Sequence, residues 1–494
     1  MSNASRHHPI HRRHALALAA AAVLGPLSAT PAAAAVCTWD TTNGNWSAIT
    51  NWLGCVTGNG NPVQTPGSND TANIGGSGVV TIDSAQSVLN LNNAGQINLD
   101  AFTLTLVGGG ATVNTGIINV GSATSAALQV SGGHNINNAG GVINVANGSV
   151  LNQFGSTISG GTINTTGDGK VVGFASGSNF LDGLTLNGTL DLASATGVER
   201  VTNGLTLNGS VNIGKGSVLA PQGDQTIGGN GSIVFADNNG GNRFNTEAGN
   251  LVLGSGITVR GDTGVIGAQN FVGGAATLTN NGTIQADVSG GTITIAVNNP
   301  VTNYGTLAAK NGGTLLLATN IDNKTGSQIL ADAGSSVVQA GVKLNGAINV
   351  IGSGAFIATN SGNNFFDAAT FAGTLDLASA TGVERVTNGL TLNGSVNIGK
   401  GSVLAPQGDQ TIGGNGSIVF ADNNGGNRFN TEAGNLVLGS GITVRGDTGV
   451  IGAQNFVGGA ATLTNNGTIQ ADVSGGTITI AVNNPVTNYG TLAA

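Results

Sequence analysis

The chain has 494 residues, of which 85 are Gly, 8 % are charged and 4 % are aromatic, and its formal net charge is −8. Disordered chains combine low hydrophobicity with high charge, whereas 39 % of these residues are hydrophobic, so the chain is expected to fold. Gly follows no three-residue period and Glu and Lys are scarce, which excludes collagen and coiled coil and leaves β structure.

Residues 1–35 have the organisation of a secretory signal peptide. Arg6, Arg12 and Arg13 belong to a basic opening, the apolar run ALALAAAAVLGPL follows, and the small-residue stretch PAAAAV contains a cleavage site expected after Ala35. The apolar run is shorter than the about 20 residues of a membrane-spanning helix. We therefore expect export by general secretion and no membrane span in the mature chain, which also lacks the basic clusters that bind nucleic acid.

The next segment, residues 36–75, is predicted to be a small N-terminal cap. It holds both cysteines of the chain, Cys37 and Cys55, and in an exported protein such a pair is expected to form a disulfide. A metal site is disfavoured because no histidine lies near. Trp39, Trp46 and Trp52 lie between the cysteines. They either stack on carbohydrate or plug the first turn of the fold, and the surrounding Cys pair favours the plug.

Residues 76–494 are predicted to form a solenoid. A short Gly-led motif of alternating apolar and polar residues recurs at intervals of 20 to 27 residues, first at Gly95, Gly116, Gly141, Gly161, Gly188, Gly209 and Gly231. Periods in this range are typical of solenoids, in which each repeat contacts only its neighbours. We call one such repeat, a complete turn of the solenoid, a rung.

The alternation inside each rung is typical of strands with one buried face. No stretch has the 3.6-residue period that the helix of a leucine-rich repeat needs. Superposition at 21 residues places apolar residues over each other: Leu184 and Leu205, Leu186 and Leu207, Leu190 and Val211, Leu192 and Ile213. Asn187–Gly188 and Asn208–Gly209 are expected to supply positive φ angles at tight corners and stacked asparagine side chains. The pattern predicts a parallel β-helix.

One long passage occurs twice. Gly188–Ala309 and Gly373–Ala494 are identical over 122 residues at an offset of 185, and weaker similarity upstream extends the duplicated block to residues 161–309 and 346–494. Because a rung touches only its neighbours, such a block lengthens a rod without disturbing an existing core. The first copy continues with KNGGTLLLATN where the chain stops, so we expect the sequence to be a C-terminally truncated piece of a longer rod.

The sequence offers little catalytic chemistry. His134 is the only histidine after the signal peptide, and neither a carboxylate nor a nucleophile motif accompanies it, so we expect it at a polar corner. The most polar insertion is FADNNGGNRFNTEAGN, which occurs in both copies. Its candidate ligand residues are Asp237, Arg243 and Glu247, with Asp422, Arg428 and Glu432 in the second copy. A loop that binds a sugar or a cation is the functional interpretation, and a solvated loop with a local ion pair is the plainer one. No catalytic residue, metal or cofactor is predicted.

Two parts of the chain resemble a known group of proteins. TWDTTNGNWSAITNWLGCVTGNGNPVQTPGSNDTANI, from Thr38 to Ile74, resembles the Trp-rich opening of large exported bacterial surface proteins. LTNNGTIQADVSGGTITI at Leu278 and VTNYGTLAAKNGGTLLL at Val301 resemble rungs of autotransporter passenger domains and filamentous, haemagglutinin-like adhesins. The resemblance implies an all-β, right-handed parallel β-helix at the surface of a Gram-negative bacterium or released from it, with a translocator or anchor beyond the residues present.

We therefore expect a non-enzymatic exported rod, an adhesin-like passenger or stalk, with host or environmental glycans or cell surfaces as partners. The rival is a polysaccharide lyase or glycoside hydrolase, because such enzymes share the β-helix. Their chemistry needs clustered carboxylates, and those here are dispersed, as Asp191, Asp224 and Asp262 illustrate. A purely structural spacer is a further alternative. An ice-binding face is disfavoured because the T-x-T pairs at Thr103 and Thr292 do not recur at rung spacing.

Overall fold

The structure, a computed structural model, describes residues 34–56, 64–121, 124–267, 276–453 and 461–494. Within these ranges the chain forms 56 β-strands and one short 3-10 helix, Ile49–Asn51. No helix in this part of the chain is long and apolar enough to cross a membrane. Of the predicted signal peptide, residues 1–33 lie outside the described residues.

Parallel pairing between successive rungs arranges the strands in three ladders, here called A, B and C, which form the three sides of a solenoid. A typical register runs from Ile97 to Ile118 and on to Ile143, each residue paired with its counterpart one rung later. Most strands are three to five residues long and alternate half-buried with buried positions, because side chains along a strand point to opposite faces. The apolar sides of all three ladders therefore face one interior.

The strands fall on the ladders as follows. Ladder A holds Val36–Trp39, Thr71–Ile74, Asn90–Asn93, Ala111–Asn114, Asn135–Asn137, Thr157–Ser159, Val218–Pro221, Arg243–Asn245, Gly264–Gly267, Thr292–Ala296, Thr314–Leu317, Ser336–Gln339, Ala355–Ala358, Thr374–Asp376, Ser395–Ile398, Ser417–Phe420, Thr443–Gly446, Thr468–Ala471 and Thr491–Ala493. Ladder B holds Asn43–Asn45, Val79–Ile82, Gln96–Leu99, Ile117–Val120, Val142–Val145, Thr162–Thr165, Gln225–Gly228, Gly249–Leu253, Ala276–Asn280, Val301–Asn303, Ile321–Asn323, Val403–Pro406, Arg428–Thr431, Gly449–Ala453 and Ile478–Ala481. Ladder C holds Gln86–Val88, Thr103–Leu106, Ala127–Val130, Val150–Gln153, Lys170–Gly173, Thr189–Asp191, Ser210–Ile213, Ser232–Phe235, Thr258–Gly261, Thr283–Ala286, Thr306–Ala309, Gln328–Ala331, Gln410–Gly413, Gly434–Leu438, Ala461–Asn465 and Val486–Asn488.

Longer strands bend through a corner and belong to two ladders. Asn179–Asn187 and Val198–Leu207 join A to B, whereas Lys343–Val350, Phe365–Ala372 and Val383–Leu392 join B to C. The short strand Trp52–Leu53 pairs antiparallel with the first strand of ladder A and closes the cap.

The predicted stacking of apolar residues is confirmed at the three pairs whose registers are defined. Leu184 pairs with Leu205, Leu186 with Leu207 and Leu190 with Val211. One buried apolar cluster extends from Cys37 in the cap to Ile469 near the other end. The predicted class is thus confirmed: the protein is an all-β solenoid of stacked parallel strands, with a disulfide at its N-terminal end.

Of the two glycines predicted to have positive φ angles, Gly188 has one, whereas Gly209 is required for a different reason. Gly209 was expected to supply a positive φ angle, but its backbone is not in that region. A Cβ atom there would lie 1.9 Å from the carbonyl oxygen of Gly188, one rung earlier. Gly116 is similarly placed, 2.0 Å from the oxygen of Gly95. Close approach of stacked backbones therefore selects glycine at these positions.

Asparagine side chains stack as the sequence predicted. On the outer side of ladder B, each amide nitrogen donates to the amide oxygen of the asparagine one rung earlier, at 2.8 to 2.9 Å. This run consists of Asn98, Asn119, Asn144, Asn164, Asn187 and Asn208. A shorter run is buried and links Asn280, Asn303 and Asn323 at 2.8 Å. In such runs each polar side chain obtains its hydrogen-bond partners from the neighbouring rungs.

The Gly-led motif does not stay on one side of the solenoid, contrary to the simple reading of its spacing. Its early members precede strands of ladder B, but Gly188 precedes Thr189–Asp191 on ladder C. The position that lies one rung above Thr162 is Thr185. Four more residues lead from Thr185 to Thr189. The 27-residue interval between Gly161 and Gly188 is therefore one rung plus the step to the next ladder.

The second copy of the duplicated block is consequently rotated by one ladder. Eight successive pairings lead along ladder C through Thr189, Ser210, Ser232, Thr258, Thr283, Thr306, Gln328, Ala347 and Thr370. Thr374, the counterpart of Thr189, comes four residues after Thr370 and lies on ladder A. The offset of 185 residues is thus eight rungs plus one side, and identical surfaces face directions about a third of a turn apart.

Deletion of residues 188–372 is expected to leave a folded, shorter rod. The joined chain has the same sequence as residues 1–309, and it ends with the same residues as the intact chain. Because rungs contact only their neighbours, the remaining core is unchanged. Removing about eight rungs at the 4.7–4.9 Å spacing of neighbouring strands shortens the rod by about 40 Å, which small-angle X-ray scattering measures.

The matched control is deletion of residues 188–362, which joins Asn187 to Asn363 out of register and is expected to lower the melting temperature. Loss of β structure in the 188–372 deletion, judged by circular dichroism, contradicts the modular account of the rod.

Candidate ligand loops and buried polar groups

The cap closes the first rung with its aromatic side chains. The predicted disulfide between Cys37 and Cys55 is present. Trp39, Trp46 and Trp52 are 6 %, 0 % and 5 % exposed, with ring centroids 5.0 and 4.8 Å apart in edge-to-face pairs. The indole nitrogen of Trp52 donates to the carbonyl oxygen of Trp46 at 2.9 Å. The rings pack on each other, and none presents a free face on which a sugar can stack.

The polar insertion is held in shape by Asp237. One carboxylate oxygen accepts hydrogen bonds from the Asn242 side chain at 2.8 Å and from the Asn239 backbone at 3.1 Å, and the other from the backbone N–H of Lys215 at 2.8 Å. Burial alone would raise the pKa of Asp237, but these bonds, the one from Asn242 first among them, hold it below its usual range. Asp237 therefore fastens the loop to Lys215 in the preceding rung.

Arg243 also serves the loop. Its guanidinium donates to the carbonyl oxygens of Gly240 at 2.6 Å and Asn242 at 3.1 Å. Residues 238–241 are exposed at the tip. The second copy repeats this arrangement: Asp422 accepts from Asn427, and Arg428 donates to Gly425. Each copy thus presents a short loop of backbone groups and asparagine amides, fixed by its own charged residues.

Glu247 lies elsewhere, inside the wall of the rod. Its side chain has no exposure, and its Oε2 accepts from Nε of Arg200 at 3.0 Å. The guanidinium lies 5.7 Å from the centre of the Phe180 ring. The second copy has the same pair, Glu432 with Arg385 at 2.9 Å. The structure therefore does not bring Asp237, Arg243 and Glu247 together as a three-residue site.

Sequence reasoning missed Arg200 as the partner of Glu247. The two are 47 residues apart, about two rungs, so no local pattern connects them. The link runs through stacked positions: Arg200 pairs with Ala220 in the next rung, and Gln222 forms a bridge with Glu247 in the rung after it. A superposition of three consecutive rungs of the sequence, rather than two, would have placed Arg200 near Glu247.

His134 is a buried structural residue at a corner. It has no exposure, its Nε2 is 2.9 Å from Oγ1 of Thr112, and its Nδ1 is 2.8 Å from the carbonyl oxygen of Val107. A carbonyl only accepts, so Nδ1 carries the proton and the Thr112 hydroxyl donates to Nε2. Burial lowers the pKa of His134, with the bond to Val107 opposing it. Both ring nitrogens are engaged, which leaves neither for catalysis.

Two glutamates are enclosed in the interior without a counter-ion. Glu199 and Glu384 occupy the same position in the two copies, and both are fully buried. None of their four carboxylate oxygens has a hydrogen-bond partner of normal geometry. Burial raises the pKa of Glu199 well above its usual range. Burial also raises that of Glu384, although the Gln339 amide and the Phe366 backbone lower it in part. Burial therefore favours the neutral form of both acids.

The other acids considered for chemistry are engaged in local bonds. Asp191 accepts from Lys170 at 2.7 Å, Asp224 from the backbone N–H of Asn250 at 2.8 Å, and Asp262 from Thr263 at 3.0 Å. Among the residues that the structure describes, no group of three or more His, Cys, Asp and Glu side chains is placed to hold a metal ion.

An open groove of about 330 Å³ lies on the side of the rod in the second half. It forms where bent strands cross the corner between ladders B and C, and Ala368 and Asn388 adopt positive φ angles of 51° and 57° there. Exposed Thr370 and Thr391 line it with Gly389. The groove offers hydroxyl and backbone groups and contains no carboxylate among its lining residues.

Fold and geometry together define the class of this protein: a β-solenoid with lateral loops and a plugged N-terminal end. No family model, curated protein or solved structure matches the chain.

Substitution of Arg200 by Ala is expected to destabilise its region by about 3–5 kcal/mol, because it leaves Glu247 buried without its partner. Hydrogen exchange of the backbone amides in the strand Arg243–Asn245 reports its local opening, and it therefore measures the loss of stability even in a long rod. Lys324→Ala, which removes an ion pair between two exposed side chains, is the control and is expected to change stability by less than about 1 kcal/mol. Equal effects of the two substitutions contradict the assignment of Arg200 and Glu247 as a buried pair.

The buried glutamates predict a rod that loses stability as pH rises. In the unfolded chain each glutamate releases its proton near its ordinary pKa of 4.5, whereas the folded rod retains it to higher pH. The contribution of these two glutamates to stability is therefore fully present below about pH 4.5 and is lost as the pH rises towards their folded-state pKa. Replacing both glutamates by Gln removes this decline, so the stability of the variant relative to the wild type is expected to increase from pH 4 to pH 8.

Thermal unfolding of the wild type and of the Glu199→Gln, Glu384→Gln variant from pH 4 to pH 8 measures the difference. All other groups titrate alike in both proteins, so parallel curves across this range contradict burial of the two acids in neutral form.

Proposed function

We propose that this protein is an exported, non-enzymatic surface rod that acts as a stalk and binds glycans or cell surfaces weakly along its sides. The observation that carries the proposal is the rod itself: a continuous apolar interior with a plugged end and repeated polar loops on its outer walls. Export is supported by the sequence of the first 35 residues and by the disulfide, a bond that persists in oxidising compartments.

The loops at residues 236–242 and 421–427 are the proposed contact points. Each is fixed from within by its aspartate and arginine, so its exposed tip is ordered before a ligand arrives, which reduces the entropy lost on binding. The tip offers the amide of Asn238 and the amide nitrogen of Asn239 rather than charge, while the Asn239 amide oxygen accepts from the backbone N–H of Gly241 at 2.8 Å. Such donors and acceptors suit the hydroxyl groups of neutral sugars.

The rotation of the second copy affects how such a rod binds. The loop at residues 236–242 lies at the corner between ladders C and A, and the loop at 421–427 lies eight rungs further on, at the corner between ladders A and B. The two loops therefore point in directions about a third of a turn apart. We infer two independent sites of equal affinity that point in different directions, so each site can bind a partner of its own.

The enzyme alternative is disfavoured by the bonding of the acids. Glycoside hydrolysis needs a pair of carboxylates facing one substrate, one of them available as an acid. Glu247 is paired inside the wall, Asp237 accepts bonds from three groups, and Glu199 is sealed in the interior. No two of these three carboxyl groups face the same surface position, where a substrate could bind between them.

Glycan binding by the purified chain tests the proposal. A glycan array identifies a ligand, and calorimetry with a soluble oligosaccharide then gives the stoichiometry. The wild type is expected to bind two ligands per chain, and the substitutions Asn238→Ala with Asn239→Ala one, at unchanged affinity. The same two changes at Asn423 and Asn424 are expected to give one as well.

The matched control is Asn250→Ala, since this asparagine lies on the rod wall of ladder B away from the loop tip. Absence of any glycan binding contradicts the adhesive role and leaves a plain spacer. Release of reducing ends from a polysaccharide, lost on substitution of Asp237 and Asp422, establishes the enzyme instead.

A further inference from the structure

The first described residues of the chain are already part of the fold. Ala35 is 5 % exposed, and its backbone nitrogen donates to Oδ1 of Asp70 at 2.8 Å. Its carbonyl oxygen accepts from the backbone N–H of Thr71 at 2.8 Å. Ala34, the residue before it, is exposed. The boundary between exposed and integrated backbone therefore lies between Ala34 and Ala35.

Asp70 depends on this contact. The residue is 4 % exposed, and its other carboxylate oxygen accepts from the backbone N–H of Gly67 at 2.8 Å. Without Ala35, Oδ1 loses the hydrogen bond that this nitrogen donates, and the N–H of Thr71 loses its acceptor. Leaving a buried charged oxygen without its bond is strongly unfavourable. A chain that begins at Val36 therefore has a defective first rung.

The sequence permits cleavage on either side of Ala35. Signal peptides are cut after a small residue that has another small residue two positions before it. Ala34 with Ala32 meets this pattern, and so does Ala35 with Ala33, the pair on which the expected cut after Ala35 rests. Sequence alone does not separate the two positions, whereas the contacts of Ala35 do.

We infer that the signal peptide is removed by hydrolysis of the bond between Ala34 and Ala35, so that the mature chain begins at Ala35. Water adds across this peptide bond, which gives a carboxylate on Ala34 and an ammonium group on Ala35. That ammonium takes the place of the backbone N–H beside Asp70, so a charge-assisted pair locks the first rung. The inference rests on the proposed export and moves the expected cut by one residue.

The test is to express the full chain with its own N-terminus in a Gram-negative host and to determine the N-terminal residue of the exported protein by intact mass and sequencing. Ala35 as the first residue is the expected result. A first residue of Val36, or of Ala33 or Ala34, overturns the inference while leaving export intact. An uncut chain retained inside the cell overturns the proposed export, and the inference with it.

A second measurement tests the physical basis. Chains that begin at Ala35 and at Val36 are compared by thermal unfolding, each with and without Asp70→Asn. The chain from Ala35 is expected to melt several degrees higher, and Asp70→Asn is expected to remove most of that difference. Equal melting temperatures of the two unsubstituted chains overturn the role assigned to Ala35.

Discussion

The whole structure depends on parallel pairing between successive rungs around one dry interior. Each strand obtains its backbone partners from the rungs on either side and buries its apolar side chains against theirs, so no rung is stable alone. The columns of Ile97, Ile118 and Ile143 on one side, and of Leu190 and Val211 on another, result from this single constraint. Loops at the corners lie outside the constraint, which is why the polar insertion interrupts the rod without disturbing it.

The same constraint governs many of the polar groups that point inwards. A buried polar atom finds its partner above or below, because solvent is absent and neighbours along the strand point the other way. Asn280 bonds to Asn303 in the next rung, and Arg200 reaches Glu247 across two rungs. Exceptions exist: neither Glu199 nor Asn245 has a hydrogen-bond partner for its side chain, and burial of Glu199 raises its pKa and so favours its neutral form. The wall of the rod therefore contains acids that resemble candidates for chemistry in the sequence and are structural in the fold.

The fold was predictable because its repeat can be recognised from the order of residues along the chain. The candidate site was not predictable, because its contacts join residues of different rungs. Alternation and a spacing of about 21 residues placed Leu184 over Leu205 correctly. The spacing did not reveal that Gly161 and Gly188 precede strands of different ladders, since nothing in it shows that a strand bends through a corner. Glu247 was grouped with Asp237 because they are close in sequence. The strand Arg243–Asn245 separates them in the fold, so Glu247 pairs with Arg200 inside the wall while Asp237 fastens the loop.

The rotation of the second copy by one ladder also shows how so long a passage can occur twice without disrupting the fold. In a compact domain, each segment is adapted to one set of neighbours, but here the three sides impose nearly the same requirement: a short strand, apolar inwards, ended by glycine or asparagine. The strand Val198–Leu207 bends from ladder A to B, and its identical copy Val383–Leu392 bends from B to C with the same pattern of burial. A block can therefore be inserted at any side whose strands match, not only after whole turns. Every such insertion of this block turns its outer surface by a third of a turn, so duplication distributes one loop around the rod instead of aligning it in a row.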